Sequence, residues 1–179
     1  MKLHIGCGIK NFGDDWVHID GSNYDHINYS NIKKLELQEN SVDLIYSSHT
    51  LEYFDREEVL DVLTEWRRVL KKDGILRLSV PDFRTIARLY TEGKYPLEKF
   101  LGPLYGKWKM TENTIIYHKT TYDYDSLKKV LLEAGFQEPY YWDWRKTEHS
   151  NYDDYSQAYL PHMEKENGFM ISLNIEVKK

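Results

Sequence analysis

The sequence has only one cysteine, no long apolar run and no concentration of one charge. The single cysteine, Cys7, excludes an internal disulfide and a zinc site built from cysteines. No apolar run approaches the roughly 18 residues that cross a membrane. Met1 leads almost directly into the first predicted strand, so no signal peptide is expected. We therefore predict a cytoplasmic protein without a membrane span.

Charges of both signs are mixed along the chain. The formal net charge is −5, from 24 lysines and arginines against 29 aspartates and glutamates, and no basic stripe is visible. Tight binding to a nucleic-acid backbone is therefore not expected, and a small-molecule partner is favoured. The length of 179 residues and the hydrophobic content of 41% predict one domain over residues 1–179 with a substantial core.

Two predicted strands near the N-terminus are each followed by residues suited to ligand binding. The first strand ends in Gly6-Cys7-Gly8, and the second, Trp16 to Ile19, ends in Asp20. Glycine lets a ligand approach the backbone and allows positive φ, and a carboxylate can accept both hydroxyls of a ribose. Ligands of open parallel sheets bind beyond the carboxyl ends of the strands. This order of elements predicts a site for a nucleoside-bearing cofactor.

The glycine spacing disfavours NAD and FAD. A dinucleotide fingerprint has a third glycine and an acid roughly 20 residues further on. Here the third position is Asn11, and Asp20 lies only 12 residues after Gly8.

The connection between the first two strands is short. Residues 9–15 separate Gly8 from Trp16, whereas a crossover between parallel strands usually takes a dozen or more residues. The first helix of such a fold is therefore predicted to be missing or vestigial, leaving one face of the sheet thinly covered. A homodimer through that face is compatible with this arrangement.

Hydrophobic periodicity predicts the remaining elements. Asp55 and Glu58 form a D-x-x-E capping box for a helix that ends before Gly74. Further helices are expected at 83–92, 96–105 and from Asp123 to Ala134. Further strands are expected at 32–37, 42–47, 75–80, 136–144 and 169–177.

The aromatic residues are concentrated in the second half of the chain, in residues 140–144 and 152–159. These rings, placed beside acidic residues, suit a lid over a saccharide or another small polar acceptor. The alternative is that they pack on the sheet and cover the face left open by the missing helix.

Each of four segments matches a motif of one known protein family. The segments are Leu3–Gly8, Gly13–Asp20, Ser41–Tyr53 and Glu65–Asp82, and a fifth, weaker match runs from His118 to Phe136. With these motifs the sequence resembles the class I S-adenosylmethionine-dependent methyltransferases, in particular a small bacterial branch with an L-H-x-G-C-G first motif. The resemblance implies an α/β, Rossmann-like, seven-stranded and mostly parallel sheet of order 3-2-1-4-5-7-6 with helices on both faces. It implies S-adenosylmethionine as the cofactor, with S-adenosylhomocysteine as its product.

The resemblance also implies roles for individual residues. Asn31, at a position where the family often has aspartate, would hold the adenine amine next to Ile32. His49 would face the reaction centre. The methionine part of the cofactor would lie over the glycine loop, which is Gly6, Cys7 and Gly8, and against the turn after the fourth strand of the family, which is Ser47 and Ser48. The ribose would be bound by Asp20.

Methyl transfer is an in-line displacement, so the protein mainly positions the acceptor. A general base is needed only for an acceptor that starts protonated, such as a hydroxyl. His49 is the first candidate and His118 the second, because imidazole titrates near neutrality; each could equally be an ordinary hydrogen-bonded histidine.

No metal site is predicted, because the spacing of Asp153 and Asp154 with His149 and His162 matches no ligand pattern. Cys7 is expected to be a small buried residue.

The leading hypothesis is methyl transfer to a small molecule such as a saccharide or its precursor. The alternatives are a non-catalytic module that binds S-adenosylmethionine or S-adenosylhomocysteine, an NAD-linked oxidoreductase and a nucleic-acid methyltransferase.

Overall fold

The computed structural model describes residues 1–179 and contains ten strands, four α-helices and four short 3₁₀ helices. The strands are β1 Lys2–Ile5, β2 Trp16–Ile19, β3 Val42–Ser48, β4 Leu70–Pro81, β5 Trp108–Lys109, β6 Ile115–Ile116, β7 Tyr140–Tyr141, β8 Tyr159–Leu160, β9 Phe169–Met170 and β10 Ser172–Lys178. The helices are α1 Val59–Val69, α2 Phe83–Thr91, α3 Leu101–Tyr105 and α4 Tyr124–Glu133. None of these helices has the length and apolar character needed to cross a membrane.

The central sheet has six strands in the order β2-β1-β3-β4-β10-β7. The first four strands are parallel, and β10 is antiparallel to both of its neighbours. The carboxyl ends of the four parallel strands therefore lie along one edge of the sheet, and the N-terminal end of β10 lies there too.

The main core lies between the sheet and the helices α1 and α4. Trp66 of α1, Leu127 of α4 and Ile45 of β3 are fully buried members of this core.

Helix α4 begins as the sequence predicts, but α1 does not have the predicted bounds. It begins at Val59, after the predicted N-cap Asp55, and ends at Val69, so that Gly74 lies in β4 and does not end the helix. The Asp55 side chain accepts a hydrogen bond from the backbone N–H of Glu58, and the Glu58 carboxylate accepts one from the backbone N–H of Asp55. Asp123 forms a reciprocal capping box at the start of α4.

The expected strand at 32–37 is absent, so the prediction of seven strands is wrong by one. The predicted strand order fails at this edge of the sheet, where β2 is the last strand. Only an isolated parallel bridge between Ile19 and Tyr29 remains. The backbone of this segment is bonded by side chains of α1 instead. Trp66 Nε1 donates to the carbonyl of Ile32, and the N–H of Leu35 donates to Glu65. With these groups occupied, the segment does not need a strand partner.

The expected strand at 136–144 is reduced to the two residues of β7. Pro139 has no N–H to donate to a ladder, and the Asp143 side chain accepts from the N–H of Arg145, which turns the chain into a short 3₁₀ helix. The expected strand at 169–177 is divided between β9 and β10.

No helix separates β1 from β2, as predicted from the short connection. Phe12 fills the face that is left open. Its ring stacks on His4 with the centroids 4.0 Å apart, lies 4.5 Å from Tyr152 and is stacked 5.4 Å from His149. His149 also contacts Tyr46 of β3, at 4.1 Å. We call these five residues the aromatic cluster.

The late aromatic residues were expected either to form a lid over a substrate or to pack on the sheet. Those that belong to the aromatic cluster pack on the sheet. His149 and Tyr152 pack on the sheet, as does Trp142, which lies 5.8 Å from His149 and donates from Nε1 to the carbonyl of Leu78. The face that motivated the expectation of a homodimer is therefore covered from within the chain.

We predict that replacing Phe12 with alanine lowers the free energy of unfolding by roughly 3 to 5 kcal/mol, because a large buried ring is removed from a packed cluster. The measurement is urea denaturation followed by near-ultraviolet circular dichroism. Ile9→Ala, in the same connection but at a residue that is 59% exposed, is the control and should change stability by about 0.5 kcal/mol at most. Equal effects of the two substitutions would contradict this account.

Candidate functional site

The glycine turn and Asp20 form one hydrogen-bonded unit. The β1–β2 register pairs Ile5 with Ile19, so the residues that follow these strands lie side by side. The N–H of Gly8 donates to Asp20 Oδ2 at 2.9 Å, and that of Ser22 donates to Oδ1 at 2.7 Å. Asp20 is buried and makes no salt bridge, so its charge is balanced by backbone N–H groups alone.

Gly6 is required by the close approach of the next strand's end. Its φ is +70°, and a Cβ there would lie 1.9 Å from Thr50 Oγ1. Thr50 follows β3, so this contact fixes the end of β3 against the glycine loop.

A small hairpin covers the outer side of this unit. A Cβ on Gly8 would lie 3.0 Å from Trp108 Cζ2, and one on Gly21 would lie 2.4 Å from Met110 Cε. Trp108 belongs to β5, which pairs with β6. Nothing in the sequence indicated this contact, because residues 107–120 lack clear periodicity.

Cys7 is buried, and its Sγ lies 3.8 Å from His26 Nε2. Burial raises the pKa of the thiol to about 12, and the nearby Asp20 carboxylate adds to the shift. The side chain is therefore a neutral thiol near pH 7, in agreement with the predicted packing role.

Asn31 and Ile32 lie beyond β2 but have different surroundings. Asn31 lines a cavity of about 210 Å³ together with Ile19, Tyr29 and Leu35. Its Oδ1 accepts from the backbone N–H groups of Lys33 and Lys34, both at 3.0 Å. Ile32 is half-buried against the main core and is not among the residues that line the cavity.

Ser47 and Ser48 lie at the carboxyl end of β3, as expected, and the register places Ser48 opposite Ser79 of β4. The Oγ atoms of all three serines are buried without a hydrogen-bond partner. Unpartnered buried hydroxyls are uncommon in folded proteins. These three hydroxyl groups lie together at the carboxyl ends of β3 and β4.

The two predicted histidines converge on a residue that the sequence analysis did not single out. His49 Nδ1 lies 3.4 Å from Glu52 Oε1, and His118 Nε2 lies 3.7 Å from the same oxygen. Glu52 is fully buried, and neither carboxylate oxygen has a hydrogen-bond partner. A usable signal was present, because His49 and Glu52 are two titratable residues only three positions apart in the sequence.

Local backbone geometry holds both histidines in place. His49 has a φ of +50°, which is uncommon for a residue other than glycine, and Glu52 follows in a 3₁₀ turn. Gly106 allows His118 to approach, since a Cβ at Gly106 would lie 2.4 Å from His118 Nε2. We call His49, Glu52 and His118 the His–Glu–His cluster.

Burial controls the charges of this cluster. It raises the pKa of Glu52 to about 8 and lowers that of His49 to about 3. The pKa of His118 is also lowered by burial. Near pH 7 the cluster is therefore neutral, with a protonated carboxyl group and two neutral imidazoles.

No group of three or more His, Cys, Asp or Glu side chains is arranged to hold a metal ion. The acids and histidines of the late loop have separate partners instead. Tyr46 donates to Asp154 at 2.5 Å, Lys165 pairs with Asp153, and His149 belongs to the aromatic cluster.

Comparisons with known proteins bear on the fold and the family. Residues 15–78 match a family described as a methyltransferase domain. No curated protein matches the chain.

Three solved structures illustrate the similarity of the fold. An S-adenosylmethionine-dependent methyltransferase from Methanosarcina mazei is 18% identical with a TM-score of 0.60, and the match covers 99% of this chain and 91% of that one. One from Mesorhizobium loti is 16% identical with a TM-score of 0.56, covering 99% and 90%. The Burkholderia thailandensis 1,6-didemethyltoxoflavin-N1-methyltransferase, solved with 1,6-didemethyltoxoflavin and S-adenosylhomocysteine, is 11% identical with a TM-score of 0.59, covering 99% and 70%.

The chain therefore has the Rossmann-like fold of the S-adenosylmethionine-dependent methyltransferases. The narrower assignment to a bacterial branch with an L-H-x-G-C-G motif stays a prediction.

We predict that Glu52→Gln changes how stability depends on pH. The folded-state pKa of Glu52, about 8, lies above its ordinary value of 4.5, so between these values the folded protein holds a proton that the unfolded chain has released. Wild-type stability should then fall, relative to the variant, by on the order of 1.4 kcal/mol per pH unit as the pH rises through this interval.

The measurement is urea denaturation of both proteins at a series of pH values. Glu57→Gln, at an exposed neighbouring position, is the matched control and should follow the wild-type curve. Parallel curves for Glu52→Gln and wild type would show that Glu52 ionises normally in the folded state.

Proposed function

We propose that this protein transfers a methyl group from S-adenosylmethionine to a small-molecule acceptor. The observation that carries the proposal is the pairing of the Gly8 N–H with the Asp20 carboxylate at the ends of adjacent parallel strands. In a sheet of this type that position receives the nucleoside part of a ligand.

The donor set suits the ribose and methionine parts of the cofactor. Each carboxylate oxygen of Asp20 accepts one backbone N–H, which leaves lone pairs that can accept ribose hydroxyls. The unpartnered hydroxyls of Ser47 and Ser48 supply polar groups at the neighbouring strand end. Gly6, Cys7 and Gly8 offer backbone without bulky side chains. When bound, the cofactor supplies a methyl group on a cationic sulfonium.

For the adenine we propose the cavity beyond β2. Both lone pairs of Asn31 Oδ1 already accept backbone N–H groups, so the side chain has only its amide N–H₂ to offer. Asn31 would therefore donate to a ring nitrogen, in contrast to the acceptor role implied by the family resemblance. Ile32 would contribute its half-buried side chain beside the cavity.

The acceptor would lie beyond β3 and β4, near His49. A second cavity of about 170 Å³ is lined by Asp82, Arg84, Tyr124, Tyr141 and Ser172, among others. The two tyrosine rings are stacked with their centroids 5.1 Å apart, and Ser172 Oγ lies 3.0 Å from His49 Nε2.

Aromatic faces next to charged and hydroxyl groups suit a saccharide or its precursor. This second cavity therefore supports a small polar acceptor, with His49 as the candidate base for its hydroxyl and His118 behind it.

We predict that the purified protein binds S-adenosylhomocysteine in isothermal titration calorimetry and that Asp20→Asn weakens binding by roughly tenfold or more. The asparagine removes the charge that strengthens the hydrogen bonds to the ribose, and such bonds contribute about 1.5 to 3 kcal/mol. Asp25→Asn, on the exposed loop that follows, is the control and should bind like wild type. Absence of binding at millimolar ligand would refute the proposed function.

We further predict that S-adenosylhomocysteine displaces the indole of Trp108. The ring lies directly on Gly8, so a ligand that contacts Gly8 from this side needs the same space. Ligand titration should change the tryptophan fluorescence of wild type, and the change should be lost in Trp108→Phe. A full-size change in the variant would mean that another tryptophan is the reporter and that the hairpin stays in place.

A further inference from the structure

The His–Glu–His cluster has more hydrogen-bond acceptors than donors unless a proton is placed within it. Apart from its own members, the titratable groups that face it are tyrosines. Tyr53 lies edge-on to His118 at 4.7 Å, Tyr155 lies 5.3 Å from His49, and Tyr122 is buried close to Glu52. No lysine or arginine is paired with Glu52, so no cation balances an ionised carboxylate.

The tautomer of His118 follows from its backbone partner. His118 Nδ1 lies 3.1 Å from the carbonyl oxygen of Pro103. A carbonyl can only accept, so Nδ1 carries the hydrogen of the neutral ring. His118 Nε2 is then a bare lone pair, and it faces Glu52 Oε1.

The tautomer of His49 follows in the same way through a hydroxyl. Ser172 Oγ donates to the carbonyl of Tyr155, so its only hydrogen is used there. The contact of 3.0 Å between His49 Nε2 and Ser172 Oγ then needs a hydrogen on Nε2. His49 Nδ1 is left as a second bare lone pair that faces the same oxygen of Glu52.

Two imidazole lone pairs therefore meet a carboxyl group that has no other donor near it. An ionised Glu52 would place a third acceptor against them in a buried space, which is costly. One proton on Glu52 removes the conflict, because it can be donated to His49 Nδ1, 3.4 Å away, and it leaves no charge facing His118 Nε2 at 3.7 Å. The arrangement therefore requires one proton within the cluster.

We propose that His49, Glu52 and His118 share a single proton and that Glu52, as a positioning residue, determines which nitrogen of His49 is free to act as a base. When His49 loses its Nε2 hydrogen to solvent, the proton on Glu52 moves to Nδ1. Nδ1 then donates to the carboxylate, and Nε2 becomes a lone pair next to the second cavity. The Ser172 hydroxyl turns its hydrogen from the carbonyl of Tyr155 towards Nε2, so that two lone pairs do not face each other.

This proposal rests on the proposed function for its consequence, which concerns the class of acceptor. In the base-competent form, the O–H bond of an acceptor hydroxyl breaks and its proton bonds to His49 Nε2. The electron pair left on oxygen forms the new bond to the methyl carbon, while the electrons of the carbon–sulfur bond remain on sulfur. A base of this kind serves hydroxyl acceptors, since a neutral amine attacks without first losing a proton.

The test is nitrogen nuclear magnetic resonance of the full chain labelled with ¹⁵N-histidine, which distinguishes the two neutral tautomers. In wild type, His49 should change from the Nε2–H to the Nδ1–H form in one step near pH 8, and His118 should report the same midpoint. In Glu52→Gln, the amide N–H₂ can donate to both lone pairs, so His49 should keep its Nε2–H form throughout. Glu57→Gln should behave as wild type.

The proposal is overturned if His49 in wild type keeps one tautomer across the titration, or if Glu52→Gln titrates as wild type does. Infrared spectroscopy of wild type adds a measurement that does not depend on a variant. A protonated carboxyl band should be present at pH 6 and absent from Glu52→Gln, and a wild-type protein without that band contradicts the shared proton. These readouts need no cofactor, so failure of S-adenosylhomocysteine binding would end the proposed function while leaving the shared proton standing.

Discussion

The hydrogen bond between the Gly8 N–H and the Asp20 carboxylate is the constraint on which the candidate site depends. It holds the turn after β1 against the end of β2, and a second bond, from Ser22, fixes the other carboxylate oxygen. The contact of Thr50 with Gly6 attaches the end of β3 to the same turn. The ends of three parallel strands are therefore connected through backbone and polar side chains. The first residue after β3 is His49, which belongs to the His–Glu–His cluster.

The aromatic cluster shows how a chain without the usual first helix completes its sheet. The connection of seven residues between Gly8 and Trp16 places only one large ring, Phe12, on the open face. The late loop supplies the rest, from residues more than 130 positions further along the chain. Such long-range packing links the integrity of the N-terminal site to the C-terminal third of the protein, because His4 of β1 is stacked on that ring.

The sequence was sufficient for the elements whose patterns are local. Repeating apolar positions and capping residues defined α1 and α4, and the short connection correctly excluded a first helix. It was insufficient at 32–37, where the backbone partners are the side chains of Trp66 and Glu65, and a strand pattern cannot reveal partners on a distant helix. The meeting of His118 with Glu52 and of Trp108 with Gly8 depends on tertiary packing that no spacing within residues 107–120 encodes.

Gly106 and Trp108 lie two residues apart, yet one touches His118 and the other touches Gly8. A shift of the hairpin caused by a nucleoside at Gly8 would therefore be transmitted to an imidazole of the His–Glu–His cluster. Occupancy of one site and proton affinity of the other would then be thermodynamically linked, and such linkage is reciprocal. Binding of a nucleoside at Gly8 would in this way change the protonation of the His–Glu–His cluster.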